Sequence, residues 1–293
     1  MRIATWNVNS IRTRVDRVVD FLVREDIDVL AMQEIKCRPD QFPAAHFAAA
    51  GYELAVHGFN QWNGVAFASR FEITEVSRDF ADMPGFGLPV KGQEAVQLPG
   101  VNGLPLEARA LGVTVQDLRL WSLYVPNGRA LDHPHYAYKL DWLRAVQAGV
   151  AGHLAQRPEQ PLAIMGDFNV APLPQDVGDP MFVVGQTTHV SPAERAAFAA
   201  LERVLPDVVR PFAPTGYTFW DYTQQKFARD LGIRIDFILG SESFNAAVTD
   251  ARIAREEREG ERPSDHVPVV CEIDPDLLNA EAGFDDAPMI FDY

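Results

Sequence analysis

The chain is short of several features that would place it in a broad class of proteins. It has two cysteines, Cys37 and Cys271, far apart and matching no metal-ligand spacing. That argues against a disulfide scaffold or a cysteine zinc site and suits a reducing compartment. No run approaches the ~18 apolar residues of a membrane span. Met1-Arg2 leads directly into the strand-like Ile3-Ala-Thr-Trp6, so no signal peptide is expected and the protein reads as cytoplasmic. There is no repeat of fixed period and no low-complexity segment. Positive charge is scarce, with 26 Lys and Arg against 41 Asp and Glu, for a net charge of −15. Phosphate contacts want Lys and Arg, so this balance disfavours a general polyanion binder. Seven of the acids lie from Glu272 onward, where there is no Lys or Arg. Removing that tail leaves about half the excess, and a local basic groove remains compatible with the rest.

What is present is ordinary globular composition: 293 residues, 47% hydrophobic and 23% charged. That is enough for one large α/β domain. Residues 1–273 read as that domain, 84–106 as a Pro- and Gly-rich surface insert, and 274–293 as an acidic tail. Met289-Ile-Phe291 is an apolar element that could dock back on the body. Arg2 to Asn7, Ile27 to Met32, Tyr52 to His57 and Gly64 to Ser69 read as strands. Ala110 to Gln116 and Arg119 to Val125 read as a hairpin. Leu162 to Met165, Arg234 to Leu239, Val248 to Ile253 and Val267 to Ile273 complete the strands. Helices are expected over Arg14 to Arg24, Gln41 to Ala49, Tyr136 to Leu154 and Ala193 to Leu205. Strands outnumber helices and come partly as hairpins, which favours mixed sheets covered by helices over an all-parallel sheet.

Polar residues of one chemical kind gather at the strand ends. The stretch Leu162-Ala-Ile-Met-Gly-Asp-Phe-Asn-Val170 ends an apolar strand in Asp167 and Asn169, two residues apart and so on one side of an extended backbone. Asn7, Glu34 and Tyr124 close other strands, Asp236 interrupts an apolar one, and Asp265-His266 precedes the last. Hard divalent cations take such oxygen ligands, and Mg²⁺ uses one or two carboxylates. A histidine beside a carboxylate moves protons or holds a phosphoryl oxygen near neutral pH. Each residue also has a plain structural reading. Asn7 and Asp265-His266 make turns, Glu34 is a helix-terminal charge, Tyr124 is core, and Asp236 pairs with Arg234. Their joint occurrence favours a site.

Trp6-Asn-Val-Asn9, Met32-Gln-Glu-Ile-Lys36, Tyr124-Val-Pro-Asn-Gly128, Gly166-Asp-Phe-Asn169, Tyr217-Thr-Phe-Trp220, Gly232-Ile-Arg-Ile-Asp-Phe237 and Ser264-Asp-His266 follow one another along the chain. In this order they resemble the exonuclease III family of the endonuclease/exonuclease/phosphatase superfamily, over residues 1 to about 273. The resemblance implies a four-layer α/β sandwich, an α+β fold of two packed mixed sheets flanked by helices. It implies a DNA-repair enzyme with Mg²⁺ (Mn²⁺ as an alternative), acting as a monomer on double-stranded DNA, abasic or nicked. The implied activities are a 3′→5′ exonuclease and an abasic-site endonuclease that leaves a 3′-hydroxyl and a 5′-phosphate.

By the same resemblance Glu34 is the principal metal ligand, with Asn7 and Asp265 near it and Asp167, Asn169 and His266 at the metal's edge. Asp167 would orient or deprotonate the attacking water, and Asn169 would help position Asp167 and the phosphate. Tyr124 would contact the phosphate or assist the leaving group, and His266, held by Asp236, would bind the scissile phosphate. Phe219, Trp220 and Ile233 would wall a pocket for an abasic sugar, the plain alternative being core aromatics. Arg12, Arg14, Lys36, Arg129, Lys226 and Arg229 would hold phosphates, or are solvated surface charges. Three positions depart from the family: Asn9 stands where some relatives have Asp, Asp230 where relatives often have Asn, and Ile233 where some have Trp. Two other readings keep the sequence facts: a phosphoesterase of this fold acting on a non-DNA ester, and a DNA-damage binding protein without catalysis.

Overall fold

The computed structural model describes residues 1–278; Met289-Ile-Phe291 lies outside them. Eleven strands form two sheets among these residues. The first sheet contains β1 (Arg2–Asn7), β2 (Val29–Gln33), β3 (Glu53–His57), β4 (Val65–Ser69), β10 (Val248–Ile253) and β11 (Val269–Ile273), in the order β10-β11-β1-β2-β4-β3. The second contains β5 (Thr74–Arg78), β6 (Ala110–Val115), β7 (Leu118–Tyr124), β8 (Leu162–Asp167) and β9 (Asp236–Gly240), in sequence order. Each sheet has one parallel pair at its centre, β1 with β2 and β7 with β8; the other pairings are antiparallel.

Alternation along the strands explains the layering. Ile3, Val29, Ala31 and Phe67 of the first sheet meet Val113, Leu120, Ala163 and Met165 of the second in one shared core. The intervening residues Ala4, Trp6, Leu30 and Met32 turn the other way, onto α1 (Val15–Arg24) and α2 (Ala44–Ala49). On the far side, Trp121, Leu123, Leu162 and Ile164 pack on α3 (Pro134–Gln156) and α4 (Pro192–Glu202). The result is the expected four-layer sandwich. Central strands buried on both faces read as continuous apolar runs, which is how β8 was recognisable. No helix among the described residues is long and apolar enough to cross a membrane.

Boundaries moved where caps decided them. Pro134 opens α3, and His133 Nδ1 accepts from the His135 backbone, so the helix starts two residues before the expected Tyr136. The helix expected from Gln41 divides into a short 3-10 turn and α2. β9 and β11 begin at Asp236 and Val269, two residues later than expected. Three elements were not expected from the sequence. β5 is an exposed edge strand without apolar alternation, α5 (Glu242–Ala246) is a single capped turn after Ser241, and α6 (Pro275–Leu278) is a short turn at the start of the expected tail. The 84–106 segment holds itself through Asn102, whose side chain bonds both backbone groups of Gly85. It also stacks Phe86 on Tyr138 of α3 at 5.0 Å.

Gly166 lies in β8 opposite Leu123 of β7 and Phe237 of β9. Its φ is +142°, and a Cβ there would lie 2.0 Å from the Leu123 carbonyl oxygen. Only glycine lets β8 run this close to β7 just before Asp167. Gly166→Ala is expected to destabilise the fold by about 3 kcal/mol or more, read as a lower urea midpoint. An unchanged midpoint would contradict the close approach.

Candidate active site

The C-terminal ends of both parallel pairs open at the same edge of the sandwich. Asn7 ends β1, Glu34 follows β2, and Tyr124 and Asp167 pair at the ends of β7 and β8. Asp236 lies opposite Asp167 at the start of β9. His266, just before β11, enters from the other sheet. Its backbone carbonyl accepts from Nε1 of the buried Trp6 at 3.0 Å.

Asn7 joins the two halves. Its Nδ2 donates to Glu34 Oε1 at 2.9 Å and to Asp167 Oδ2 at 3.0 Å, and stands 3.3 Å from His266 Nε2. Asp167 Oδ1 accepts the Asn169 backbone N–H at 2.9 Å, and Oδ2 also accepts Asn169 Nδ2 at 3.2 Å. His266 Nδ1 donates to Asp236 Oδ2 at 2.8 Å, and Thr218 Oγ1 accepts the Asp236 N–H at 3.1 Å. The Asp236–His266 pair therefore forms. Arg234 instead pairs with Asp207 at 3.3 Å.

Charge is distributed unevenly over this cluster. Burial pushes the Asp167 carboxyl up to about 7; His266 works against that rise, while Asp236 and Glu34 add to it. Burial alone would neutralise His266, but Asp236 and Asp167 outweigh it and hold the imidazolium to about 10. Burial likewise opposes ionisation of Glu34, and Lys36 and Asn7 overcome it, so its carboxyl sits below the usual range. Burial, then Glu34, raises the Tyr124 hydroxyl well above the usual tyrosine value. The shifts have the three ordinary causes: desolvation, neighbouring charge and hydrogen bonding.

One ligand atom each from Glu34, Asp167 and His266 lies within 4.8 Å of the others. An imidazolium has no free lone pair, so among these the carboxylates suit a cation and His266 suits an anion. Lys36 Nζ already rests on Glu34 Oε2 at 2.8 Å and Asn9 Oδ1 at 2.6 Å, a cation held by hard oxygens. Asn9 also donates to Asp265 Oδ1 at 3.0 Å, which brings a further carboxylate to the same rim. The donor set fits a hard divalent ion. Asn9, Glu34, Lys36 and Asn169 all have positive φ, so the backbone around the site is held in the sparsely populated left-handed region.

The expected DNA contacts divide. Arg12, Arg129 and Arg229 are exposed, Lys36 is half-buried at the rim, and Phe219 is half-buried with its ring 4.9 Å from that of His266. Arg14 donates to Tyr222 Oη at 2.9 Å and to the Pro263 carbonyl at 3.2 Å, bracing the loop before His266. Three residues lie in the interior. Lys226 is buried and tied to Asp179 at 2.6 Å, so it is not free for a phosphate. Trp220 is 1% exposed, with its ring 5.2 Å from that of Phe227, and Ile233 is fully buried with Ala171 and Val190. Large apolar groups at these positions serve the core. Asp230 faces Arg255 at 3.3 Å, which offsets its charge.

Sequence reasoning missed a supporting layer. His189 Nε2 donates to Asn169 Oδ1 at 2.9 Å, and its Nδ1 accepts from Thr188 Oγ1 at 2.9 Å. Burial, then Lys139, keeps this imidazole neutral. Asn127 Nδ2 donates to the same Oδ1 at 3.3 Å. Lys139, fully buried, donates to the Asn169 carbonyl at 2.6 Å and pairs with Glu194. His189 stands alone in a stretch without pattern. Lys139 was legible only as a charge beside the apolar stripe of α3.

The chain matches the Endonuclease/Exonuclease/phosphatase family over residues 4–266. It is 27% identical to exodeoxyribonuclease III of Haemophilus influenzae, covering 93% of this chain and 99% of that one. A 3′ phosphatase, NExo, from Neisseria, solved with a product DNA hairpin, is 37% identical with a TM-score of 0.81, over 94% and 99% of the two chains. An AP endonuclease from Archaeoglobus fulgidus is 33% identical with a TM-score of 0.78, over 94% and 99%. The chain belongs to the endonuclease/exonuclease/phosphatase family. Within it, the chain is a hydrolase of the exodeoxyribonuclease III and AP endonuclease kind.

His135 supports the loop after β7: its Nδ1 accepts the Gly128 N–H at 3.1 Å. Burial, then Arg109, pulls its pKa down to about 4. An unfolded chain protonates this histidine near 6.5. Between those values the unfolded state binds more protons, so stability is complete above about 6.5 and declines as pH falls toward 4. The expected outcome is a melting temperature that drops over this window and a His135 NMR resonance that stays put down to about pH 5.5. A His135 midpoint near 6.5 would refute the assignment.

Proposed function

We propose that the chain is a Mg²⁺-dependent phosphodiesterase of DNA repair, with Mn²⁺ as an alternative ion. Its substrate is double-stranded DNA, nicked or abasic, and it works as a 3′→5′ exonuclease and as an endonuclease cutting 5′ to abasic sites. The observation that carries this is the convergence of Asn7, Glu34, Asp167 and the Asp236–His266 pair at one mouth. A second reading extends it to 3′-phosphate removal. The 3′ phosphatase relative supports that extension. So does the burial of Trp220 and Ile233, which leaves Phe219 alone of the three residues expected to wall an abasic pocket. Work at 3′ ends is the better supported arm.

A phosphodiester resists attack because it is anionic and its alkoxide leaves poorly. Asp167, with a pKa near 7, is matched to take a proton from water at neutral pH. Asn7 and Asn169 fix its oxygens and so the direction of attack. The His266 imidazolium, oriented by Asp236, presents Nε2–H to a phosphoryl oxygen and offsets the charge that grows there. Tyr124 stays protonated and donates its hydroxyl to the phosphate. Arg12 and Arg129 hold flanking phosphates. When bound, Mg²⁺ would be held by Glu34 with Asp265, Asn7 and Asn9 near it, and would supply Lewis-acid stabilisation of the phosphoryl and leaving oxygens. The departing group is the 3′ oxygen, leaving a 3′-hydroxyl and a 5′-phosphate.

The test uses labelled duplexes carrying an abasic analogue, a 3′-phosphate or a plain 3′ end, each with Mg²⁺ and with EDTA. Mg²⁺-dependent shortening from the 3′ end and phosphate release are expected, with nicking at the abasic site as the further arm. No cleavage of any duplex by folded protein would reject the proposal.

Asp167→Ala should lower the rate by about 10³-fold or more, as loss of a base with its oriented water does. Asp236→Asn should cost about 10- to 100-fold, as for other partners that only orient a reacting group. Full activity in Asp167→Ala, or an unchanged rate in Asp236→Asn, would remove those roles.

A further inference from the structure

Two neighbouring cavities lie beyond Tyr124, and the 84–106 segment builds one wall of each. The first, about 470 Å³, is bounded by Phe59 and Trp62 of the β3–β4 turn, Phe86 and Leu88 of the segment, and Tyr124 and Arg129 of the catalytic mouth. The second, about 400 Å³, shares Phe59, Trp62 and Val90 with the first and adds Arg12, Arg38 and Lys91. The first is within the size range of small-ligand sites. Trp62 is 68% exposed and Leu88 87%, so large apolar groups stand in water at its margin. Its polar floor is satisfied internally. Arg109 pairs with Glu107 at 2.7 Å and lies over the Tyr124 ring at 4.7 Å, and Glu107 also accepts from Asn63 at 2.9 Å. The ring faces of Phe59 and Trp62 stand above this paired floor, with Asn60 and Asn127 beside them. Free cations stand at both ends. Arg129, Arg12 and Lys91 are in no ion pair among the described residues, although Arg12 donates weakly to the Lys36 carbonyl at 3.3 Å and Arg129 stands 3.5 Å from His133 Nε2.

Aromatic faces between unpaired cations, on a path leading to a phosphate-cleaving site, have the composition that holds unpaired nucleic acid. We propose that this annex is a second nucleic-acid subsite, which receives one unstacked nucleobase of duplex DNA beside the scissile phosphate and holds the phosphates that follow on Arg12 and Lys91. This rests on DNA being the substrate. Every base has a ring face to stack, and the satisfied floor reads no base edge, so the subsite is tolerant of sequence. A mismatched terminal pair loses little stacking and pairing when opened, so such ends fill the subsite most readily. The 84–106 segment then has a role: it supplies one wall and the Lys91 charge. In a chain of net charge −15, that charge has to be placed locally.

The experiment measures binding in EDTA, so that no strand is cut. Two duplexes are compared, one blunt and one ending in a single mismatch, with 2-aminopurine at either position of the end pair. With wild-type protein, 2-aminopurine fluorescence in the mismatched end should be quenched in at least one of the two placements. Trp62→Ala should abolish that quench and weaken binding of the mismatched duplex about tenfold, the scale of one lost base-stacking contact. Lys91→Ala should weaken it by a smaller factor, and neither change should alter blunt-duplex affinity by more than about twofold. Both side chains are exposed, and matching melting temperatures would verify the fold. Equal weakening on both duplexes, or no change on either, overturns the subsite. Normal Mg²⁺-dependent cutting of blunt duplex without any quench overturns the subsite alone. Failure of the wild type to bind or cut any DNA overturns the functional reading with it.

Discussion

Two cations, His266 and Lys36, let three carboxylates share a site nearly closed to water. Asp167 and Asp236 are buried opposite each other across a sheet, and Glu34 is joined to Asp167 through the amide of Asn7. Like charges this close oppose joint ionisation. His266 bonds Asp236 directly, and its other nitrogen is 3.8 Å from Asp167. The imidazolium thus lies against Asp236 and farther from Asp167. Asp167 is left with its carboxyl raised to about 7, while Lys36 and Asn7 keep Glu34 below the usual range. The division of labour among the acids follows from who is nearest to His266 and Lys36.

The fold exists to bring these groups to one edge. A parallel pair in each sheet gives two sets of strand ends pointing the same way, and the shared core between the sheets fixes their spacing. Trp6 and Arg14 then reach across to hold the segment that carries His266. The contacts behind Asn169 from His189 and Lys139 are buried, with Asn127 at their outer edge. The amide that helps aim Asp167 is therefore set by packing as well as by its own bonds.

Much of this was legible in the sequence, for identifiable reasons. Strands buried on both faces announce themselves as apolar runs, and polar residues at their ends stand out against that background. Asn7, Glu34, Asp167, Asn169, Asp236 and His266 were found this way, and the structure brings them together. Lys226, Trp220 and Ile233 lie in the interior, and residue type is silent about which partner a side chain finds. Asp179 claims Lys226, and Trp220 and Ile233 go to the core. His189 and the Lys139–Glu194 pair were invisible because they act through contacts remote in sequence. The edge strand β5 escaped because an exposed edge has no apolar period to read.

The order in which the chain supplies its parts has one more consequence. β1 is completed on one side by β11, the last strand, and Asn7 meets His266 from 259 residues away. In chain order Glu34, Tyr124 and Asp167 all precede His266. The cluster is therefore assembled only when the final strand closes on the first.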